Sequence, residues 1–515
     1  MQKFIRLFHT AKYLKSIQVY YRLYYFIRAR WRKLSGFRYP LTLSSNSKVV
    51  ILQPSVASYV SLYEDRFTFL NLSHTFRNSI DWNYDNGGKL WTYNLTYFDF
   101  LHQPGMSREE GTKLIYDFIE QSDGLKDGLE PFPISLRGIN WVKFLSLHKI
   151  SDQKIDDSLY AQYAILMDNL EYHLLGNHLL ENGFSLLLGA YYFQDEKLYA
   201  KAKEILTAEL EEQILEDGAH FELSPMYHQI MLYRVLDCIN LVKNNDYHQQ
   251  ELLSLLQEKA DLMLGWLNMM SYKNGEIPLL NDSANGIAPA TKQLNHYAQS
   301  LGVQASESNT ELKESGYRKY QSDRYECVID VGHIGPDYIP GHAHADTFNF
   351  EFRIDDTPFI VDTGLSTYEA NDRRNKERGT ASHNTVEVLG SNSSEVWGAF
   401  RVAKRAYIIE LEDKENAIKA THDGYKKVGI LHTREWKFYQ DKVIIADSLN
   451  KETEAVFRLH FHPIVDDKMI EEHIKVQNME FNIKNYKYAQ EFNILVDAKF
   501  IEIPFKKSCK VEIKV

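Results

Sequence analysis

The chain has 515 residues, 44% of them hydrophobic and 25% charged, which suits a globular protein of two or three domains. It lacks an uninterrupted run of 18 apolar residues, which excludes a predicted transmembrane helix, and no signal peptide pattern is evident. Its three cysteines are scattered and odd in number, which indicates buried thiols rather than a disulfide framework. We therefore expect a cytoplasmic protein, and we expect no nucleic-acid partner.

The net charge of −11 is distributed unevenly. Residues 1–63 contain eleven Lys or Arg and no acid, which leaves about −22 for the rest of the chain. This basic arm is also aromatic, as in the run from Tyr20 to Phe26. Two interpretations stay open: the arm contacts an anionic membrane surface or a partner, or it forms an amphipathic helix docked on the acidic body.

Helical periodicity dominates to about residue 300, after an aromatic stretch at 81–101. The paired helices indicate either a solenoid or an α/α toroid, and the lack of a clean repeat argues against a regular solenoid. The predicted helices are 107–122, 138–150, 156–174, 178–193, 197–215, 225–244 and 250–271.

The stretch from Pro131 to Trp141 combines a rigid proline-containing segment with a cation and an indole. Arg137, Asn140 and Trp141 are therefore candidates for binding a carboxylated sugar. The same residues equally suit a helix start with Trp141 in the core.

A second candidate cluster begins at Asn177, which fits the N-cap of a helix. His178 and Glu181 are three residues apart and share one helix face. The cluster is either a capped helix with a side-chain pair or a polar group at a helix N-terminus, where an anionic ligand is favoured.

A third candidate, Tyr227, lies in the first turn of a helix that Ser224 caps and Pro225 begins. The positive end of the helix dipole would favour its phenolate and ease proton exchange. The alternative is a packed tyrosine.

From residue 325 onward the apolar pattern changes to period two, after a polar linker candidate at 303–318. Many strands without long helices indicate an antiparallel sandwich. We predict a multidomain α+β fold with a basic aromatic arm and lead-in at 1–80, an incomplete α/α toroid at 81–310 and an antiparallel β-sandwich at 311–515.

Residues 341–385 combine histidines with a carboxylate in a strand-like run. Asp356, Thr357 and Pro358 predict a hairpin turn that brings His344 near Asp362, and His383 opens the next strand. Two imidazoles and one carboxylate suit zinc or a similar divalent cation. The alternative is a hydrogen-bonded structural cluster. His342 and His344 are two residues apart, and the same spacing occurs elsewhere in the chain at His460 and His462.

In combination, these motifs resemble the heparinase II/III-like family of polysaccharide lyases. The resemblance covers roughly residues 80–420. The segments that carry it are Ser135–Trp141, Asn177–Asn182, Ser224–His228, Gly341–Asp346, Val361–Gly364, Ser382–Thr385 and Ser394–Gly398. It implies an incomplete α/α toroid, a β-sandwich and an active site in the cleft between them.

The resemblance also implies roles for particular residues. Asn177 and His178 match the pair that neutralises a uronate carboxylate, and Arg137, Asn140, Trp141, Glu181 and Arg378 are substrate-binding candidates. Tyr227 matches the catalytic acid, or acid and base together, His342 matches a catalytic histidine, and Tyr368 matches a second tyrosine. His344, Asp362 and His383 match a structural metal triad, usually zinc.

The implied activity is β-elimination on an acidic, uronic-acid-containing polysaccharide. The resemblance is to members encoded with capsule or exopolysaccharide synthesis genes. Two alternatives are a uronate C-5 epimerase and a non-catalytic polysaccharide-binding or assembly protein.

Overall fold

The computed structural model describes residues 2–305 and 312–515. Its helices are α1 (Gln2–Ala11), α2 (Ser16–Ser35), α3 (Lys89–Tyr97), α4 (Arg108–Glu120), α5 (Pro131–Leu147), α6 (Gln153–Asp168), α7 (Gly176–Phe193), α8 (Glu196–Gln213), α9 (Pro225–Asn244), α10 (Gln249–Met270), α11 (Thr291–Ser300), α12 (Asp372–Glu377) and α13 (Asp467–His473).

The helical half is built in two layers. Helices α5, α7 and α9 pack against one another in succession, while α6, α8 and α10 pack on the helices next to them in the chain. Large aromatic side chains such as Trp141 and Tyr191 are fully buried between them. This arrangement is the incomplete α/α toroid that the periodicity and the resemblance together predict.

Three short strands precede the toroid: β1 (Leu62–Tyr63), β2 (Arg66–Phe69) and β3 (Leu72–Thr75).

The strands of the second half form an antiparallel sandwich. The later strands are β4 (Tyr317–Gln321), β5 (Tyr325–Asp330), β6 (Phe350–Ile354), β7 (Thr357–Ile360), β8 (Val386–Val388), β9 (Val396–Trp397), β10 (Arg401–Val402), β11 (Ile408–Lys414), β12 (Ala417–His422), β13 (His432–Phe438), β14 (Lys442–Leu449), β15 (Ala455–His460), β16 (Ile474–Val476), β17 (Asn482–Glu491), β18 (Ile494–Phe505) and β19 (Ser508–Lys514).

Two sheets enclose the core of the sandwich. One has the strand order β11-β12-β13-β14-β19-β16 and the other β17-β18-β15-β8. Alternate residues of β14, such as Val443 and Ile445, are buried between the sheets, as period-two patterning requires. A third sheet, β4-β5-β6-β7, joins the second through a bridge between Ile360 and Phe461.

The seven predicted helices all occur, with substantial changes at two boundaries. Helix α6 ends at Asp168 rather than at 174. Helix α5 begins at Pro131 rather than at 138, because Pro131 occupies the first helical position, where its missing N–H costs nothing. Of the two interpretations of that stretch, the helix start with Trp141 in the core is confirmed. The predicted linker at 303–318 includes residues 306–311, which lie outside the described residues, and the predicted domain boundaries stay predictions.

The predicted hairpin is confirmed between β6 and β7, where Ile354 pairs with Thr357, although Thr357 and Pro358 belong to β7 rather than to the turn. Asp355 and Asp356 both have positive φ, 47° and 62°, which is the conformation of a tight hairpin turn. All three cysteines are buried free thiols, as expected. No helix in the described part of the chain is long and apolar enough to cross a membrane.

Candidate active site

Asn177 lies in the first turn of α7, and Glu222 fixes its position. The N-cap of α7 is Leu175, so the prediction that Asn177 caps the helix is wrong. The backbone N of Asn177 donates to Glu222 Oε1 (3.0 Å), and its Nδ2 donates to Oε2 (2.8 Å). A Cβ on Gly176, whose φ is 59°, would lie 2.7 Å from Glu222 Oε1, so glycine allows this close approach.

His178 and Glu181 contact different partners, so the alternative of a capped helix with a side-chain pair is wrong. His178 Nδ1 lies 3.0 Å from Glu171 Oε1, whereas both carboxylate oxygens of Glu181 accept from Arg234 Nε (3.1 Å). Burial would lower the pKa of His178, but the Glu171 carboxylate raises it above its usual value. His178 is thus biased toward a cation at the N-terminus of α7.

His342 extends from the β half toward Asn177. Its Nδ1 lies 2.9 Å from Asp282 Oδ2, and its Nε2 lies 3.3 Å from Asn177 Nδ2. Glu222 Oε2 is 3.4 Å from Nε2, so the Asp282 carboxylate beside Nδ1 is the nearer of the two and assigns the proton of neutral imidazole to that nitrogen. The Nε2 lone pair is then directed to the amide of Asn177.

Asp282 connects the two halves of the molecule. Arg374 Nη2 donates to Asp282 Oδ2 (2.6 Å), and His344 Nε2 lies 2.8 Å from Oδ1. Burial alone would raise the pKa of Asp282, but the Arg374 guanidinium and the hydrogen bonds from His342 and His344 hold it well below its usual range. Asp282 is therefore a buried anion that orients His342.

Tyr227 stacks on His342, with ring centres 3.8 Å apart. Ser224 caps α9 as predicted, because its Oγ accepts from Tyr227 N (3.2 Å). The Tyr368 hydroxyl donates to the Tyr227 hydroxyl (3.3 Å). Burial raises the pKa of Tyr227, which corrects the expectation that the helix dipole favours the phenolate: loss of solvent outweighs the dipole.

A cavity of about 210 Å³ lies where the two halves meet. Asn177 and Tyr227 line it from the helical half, and Tyr368 and Phe492 line it from the β half. Its wall is rich in rings, which present apolar faces with few polar groups, as small-molecule sites commonly do. The other aromatic residues that line it are Tyr59, Tyr97, Phe132 and Tyr233.

Two of the predicted substrate-binding residues of the helical half line this cavity, and two do not. Asn140 and Glu181 belong to its wall. Arg137 is fully buried and donates to Gln162, to Thr96 O and to Gly128 O. Trp141 is also fully buried, against Phe98 and Phe118. The substrate-binding roles predicted for Arg137 and Trp141 are therefore not supported, because neither side chain is accessible.

Arg378 is likewise inside the protein rather than at the cavity. Its guanidinium is fully buried and donates to backbone carbonyls of Ala343, Gly398 and Ala399. These bonds fix the segment that carries His342 and His344. The structure thus replaces the predicted carboxylate-binding role of Arg378 with a supporting one.

The predicted metal triad fits a metal in part. His344 Nδ1 and His383 Nε2 are buried nitrogens without a hydrogen-bond partner, and the two rings are 5.3 Å apart. Two imidazoles that bind one zinc at about 2.1 Å in tetrahedral geometry have ring centres about 5 Å apart. Asp362 instead approaches His383 Nδ1 (2.7 Å), the position of a carboxylate that orients a ligating imidazole. Among residues 2–305 and 312–515, no His, Cys, Asp and Glu side chains form a ready group of three ligands.

Glycine explains the turn that follows Asp362. Gly364 has a φ of 77°, and a Cβ there would lie 1.9 Å from Ala489 O. The backbone N of Gly364 donates to Asp362 Oδ1 (2.9 Å), so the carboxylate closes the turn as well as contacting His383.

Four residues of this site were not predicted from the sequence: Glu171, Glu222, Asp282 and Arg374. Asp282 follows the apolar pair Leu279–Leu280 in the segment between α10 and α11. A polar run of Asn281, Asp282 and Ser283 after buried residues was the available signal, because a carboxylate there needs partners.

The comparisons with known proteins agree with this architecture. The family model described as Heparinase II/III N-terminus matches residues 134–307, and the one described as Heparinase II/III-like, C-terminal matches residues 305–495. A protein of Pedobacter heparinus named heparin-sulfate lyase is 24% identical over 329 residues. That alignment covers 59% of this chain and 48% of the relative, so the chain spans about half of the relative's length.

Solved structures show the same fold. A crystal structure of heparinase III has a TM-score of 0.67 at 16% identity and covers 86% of this chain and 80% of its own. The heparan sulfate lyase HepC from Pedobacter heparinus has a TM-score of 0.56 at 17% identity and covers 87% and 81%. With the two family models spanning residues 134–495, the chain belongs to the heparinase II/III-like family.

Proposed function

We propose that the protein is a polysaccharide lyase that cleaves a uronic-acid polysaccharide by β-elimination. The observation that carries the proposal is that Asn177, Tyr227 and His342 converge where the two halves enclose a cavity. The relative named heparin-sulfate lyase and the fold shared with heparinase III support an acidic polysaccharide as the substrate class.

The first requirement of the reaction is to neutralise the uronate carboxylate, which acidifies the neighbouring C-5 proton. Asn177 lies at the N-terminus of α7, where backbone N–H groups favour an anion, and its Nδ2, which donates to Glu222 Oε2 (2.8 Å), would turn to the uronate carboxylate. His178, made more basic by Glu171, adds positive charge at the same end. Together these groups stabilise the negative charge that develops when C-5 loses its proton.

The second requirement is a base and an acid on the same sugar. His342 Nε2 lies 3.3 Å from the Asn177 amide, so a carboxylate at Asn177 places the C-5 proton close to that nitrogen. Tyr227 retains its proton because burial raises its pKa, which suits an acid that protonates the departing O-4. His342 then takes the C-5 proton, the C4–O4 bond breaks, a C4=C5 double bond forms, and Tyr227 gives its proton to O-4.

Incubation with acidic polymers tests this activity directly. The unsaturated uronate product absorbs in the ultraviolet, so a rise in absorbance with at least one polymer is the expected result. The screen includes unsulfated and sulfated uronates and the source organism's own capsule or exopolysaccharide, whose metabolism we propose as the biological setting. No rise with any of these polymers would contradict the lyase proposal.

The two alternatives give different results in the same experiment. A C-5 epimerase would introduce solvent deuterium at C-5 without chain cleavage. A non-catalytic binding protein would show neither cleavage nor exchange in the unaltered chain. Its variants Tyr227→Phe and His342→Ala would still bind the polymer.

We further propose that His344 and His383 hold a divalent metal, zinc by the chemistry of two imidazoles, with Asp362 as third ligand or as orienting carboxylate. When bound, the metal would supply a structural cross-link between the segments that follow His342 and precede β8. Metal analysis of the purified protein should find about one equivalent, and His383→Ala should lose the metal and lower the melting temperature. His462→Ala, a half-buried histidine outside this cluster, should retain it. The assignment would be overturned if the purified protein contained no metal and His383→Ala had an unchanged melting temperature.

A further inference from the structure

The two helices of the basic arm, α1 and α2, are anchored to both halves of the protein. Arg6 Nε lies 2.9 Å from Glu395 Oε1 in the β half. In α2, Gln18 is buried and donates to Leu174 O (2.9 Å), and Arg28 pairs with Asp168 (2.9 Å). The arm therefore has a fixed orientation on the body, and one face of α2 is occupied by these contacts.

The opposite face of α2 is apolar and exposed. Six large side chains recur on it at helical spacing, so they form one stripe along the outside of the helix. Their exposed fractions range from 43% to 88%, and Trp31 is 65% exposed. With 20 residues, α2 presents this stripe over about 30 Å. The residues of the stripe, here called the outer face, are Tyr20, Leu23, Tyr24, Ile27, Trp31 and Leu34.

Three cations flank the outer face of α2. Arg30 and Lys33 are exposed on α2, and Arg38 follows it. None of the three forms an ion pair within the described ranges 2–305 and 312–515. No acidic residue occurs before Glu64, so nothing in the arm itself offsets this charge.

We propose that the outer face of α2 binds the surface of an anionic lipid bilayer. Interfacial helices insert apolar and aromatic side chains at the level of the head groups while flanking Lys and Arg contact anionic lipids. Tyr20, Tyr24 and Trp31 are amphipathic rings of the kind enriched at such interfaces. The body has a net charge near −22 and is repelled by the same lipids, so the arm alone determines which side of the protein approaches the membrane.

The shape and charge of the arm favour a bilayer over a second copy of the chain. A symmetric dimer through the outer face would bring two sets of flanking cations together, and like charges repel. The outer face is also the surface of a single helix that the body supports from behind, which suits a broad, fluid surface. A dimer is therefore an outcome that the test must exclude.

Vesicle sedimentation of the full chain tests the proposal. We expect binding to phosphatidylcholine vesicles that contain about 30% phosphatidylglycerol, at least about tenfold weaker binding to pure phosphatidylcholine, and release at high salt. The triple variant Leu23→Ser/Ile27→Ser/Trp31→Ser should lose binding by about tenfold or more, and Arg30→Gln/Lys33→Gln should lose the preference for anionic lipid. The control Ile409→Ser/Leu411→Ser, which removes exposed apolar side chains from β11, should bind normally.

Trp31 provides an independent reading of the contact. Five of the seven tryptophans are buried in the core, and a sixth, Trp397, is half-buried and donates to Thr10 Oγ1. A blue shift of emission on anionic vesicles should therefore come from Trp31 and disappear in Trp31→Phe. Equal sedimentation of the unaltered chain and the triple variant would overturn the proposal. A dimer in light scattering that the triple variant abolishes, without vesicle binding, would overturn it in favour of a protein interface.

Discussion

At the scale of single residues, the Tyr227 hydroxyl separates the two proton transfers of the proposed reaction. The variant Tyr227→Phe keeps the ring that stacks on His342 and removes the acid that protonates O-4. We expect cleavage, measured by ultraviolet absorbance, to fall by about 10²–10⁴-fold. The C-5 proton should still exchange with deuterated solvent, because His342 remains in place.

The matched control is Tyr59→Phe, which removes another hydroxyl from the cavity wall. Tyr59 donates to Ala288 O (3.2 Å) rather than to a group of the proposed catalytic set, so its loss should change cleavage only slightly. If Tyr227→Phe abolishes exchange as well as cleavage, Tyr227 is the base and His342 has another role.

Sequence reasoning found the residues of the site that motifs carry and missed those that only folding brings together. Asn177, Tyr227 and His342 stand in recognisable segments, and the structure places them in contact. Glu222 and Asp282 are 45 and 60 residues away from the groups they orient. A carboxylate at such a separation becomes a partner only through tertiary packing, which no local pattern reports.

At the scale of elements, α8 contains a carboxyl group whose burial should make stability depend on pH. Glu209 is 8% exposed, and burial raises its pKa to about 7 from a usual value of 4.5. Since the folded-state pKa is raised, the folded protein favours the protonated carboxyl group of Glu209. The free energy of unfolding is therefore highest below about pH 4.5 and decreases as the pH rises through 7, where the buried group must ionise. Glu209→Gln should remove the loss and stabilise the protein at pH 8 by up to about 3 kcal/mol. Thermal unfolding at pH 5 and pH 8 measures the effect.

The control for this prediction is on the same helix. The side chain of Glu211 is exposed and pairs with Lys259 (2.8 Å), which lowers the pKa of the Glu211 carboxyl instead of raising it. Glu211→Gln should leave the difference between pH 5 and pH 8 unchanged. An equal response of the two variants would mean that Glu209 is ionised in the folded protein without cost.

Periodicity predicted the helices well because each buries one stripe in a two-layer array. It failed at the start of α5, where Arg137 is buried inside an apolar helix and obscures the pattern. Lys143 is neutralised by Asp237 (2.7 Å), a partner on α9 that sequence alone does not identify. The docking of the arm illustrates the same limit, because the sequence did not decide whether α2 docks on the body. Its inner face does dock, through residues such as Gln18 and Arg28, and its outer face is exposed.

At the scale of the whole molecule, the two halves are joined by a buried ion pair. Asp282 belongs to the helical half and Arg374 to α12 of the β half, and both side chains are 0% exposed. Removing one partner leaves the other charge buried and incompletely compensated, which costs about 3–5 kcal/mol. We therefore expect Arg374→Met to destabilise the protein by about that amount. Calorimetry should show the β half unfolding separately from the helical half.

The matched control is an arginine–aspartate pair of similar chemistry at the surface. Arg324 contacts both oxygens of Asp355 at 2.8 Å, but the two side chains are 54% and 56% exposed. Solvent screens such a pair, so Arg324→Met should cost about 0–1 kcal/mol and leave a single transition. Equal costs for the two variants would show that burial adds nothing to the Asp282–Arg374 pair. The site would then be held together by the hydrogen bonds of His342 and Asn177 across the cleft, and these two residues would carry the coupling between the halves.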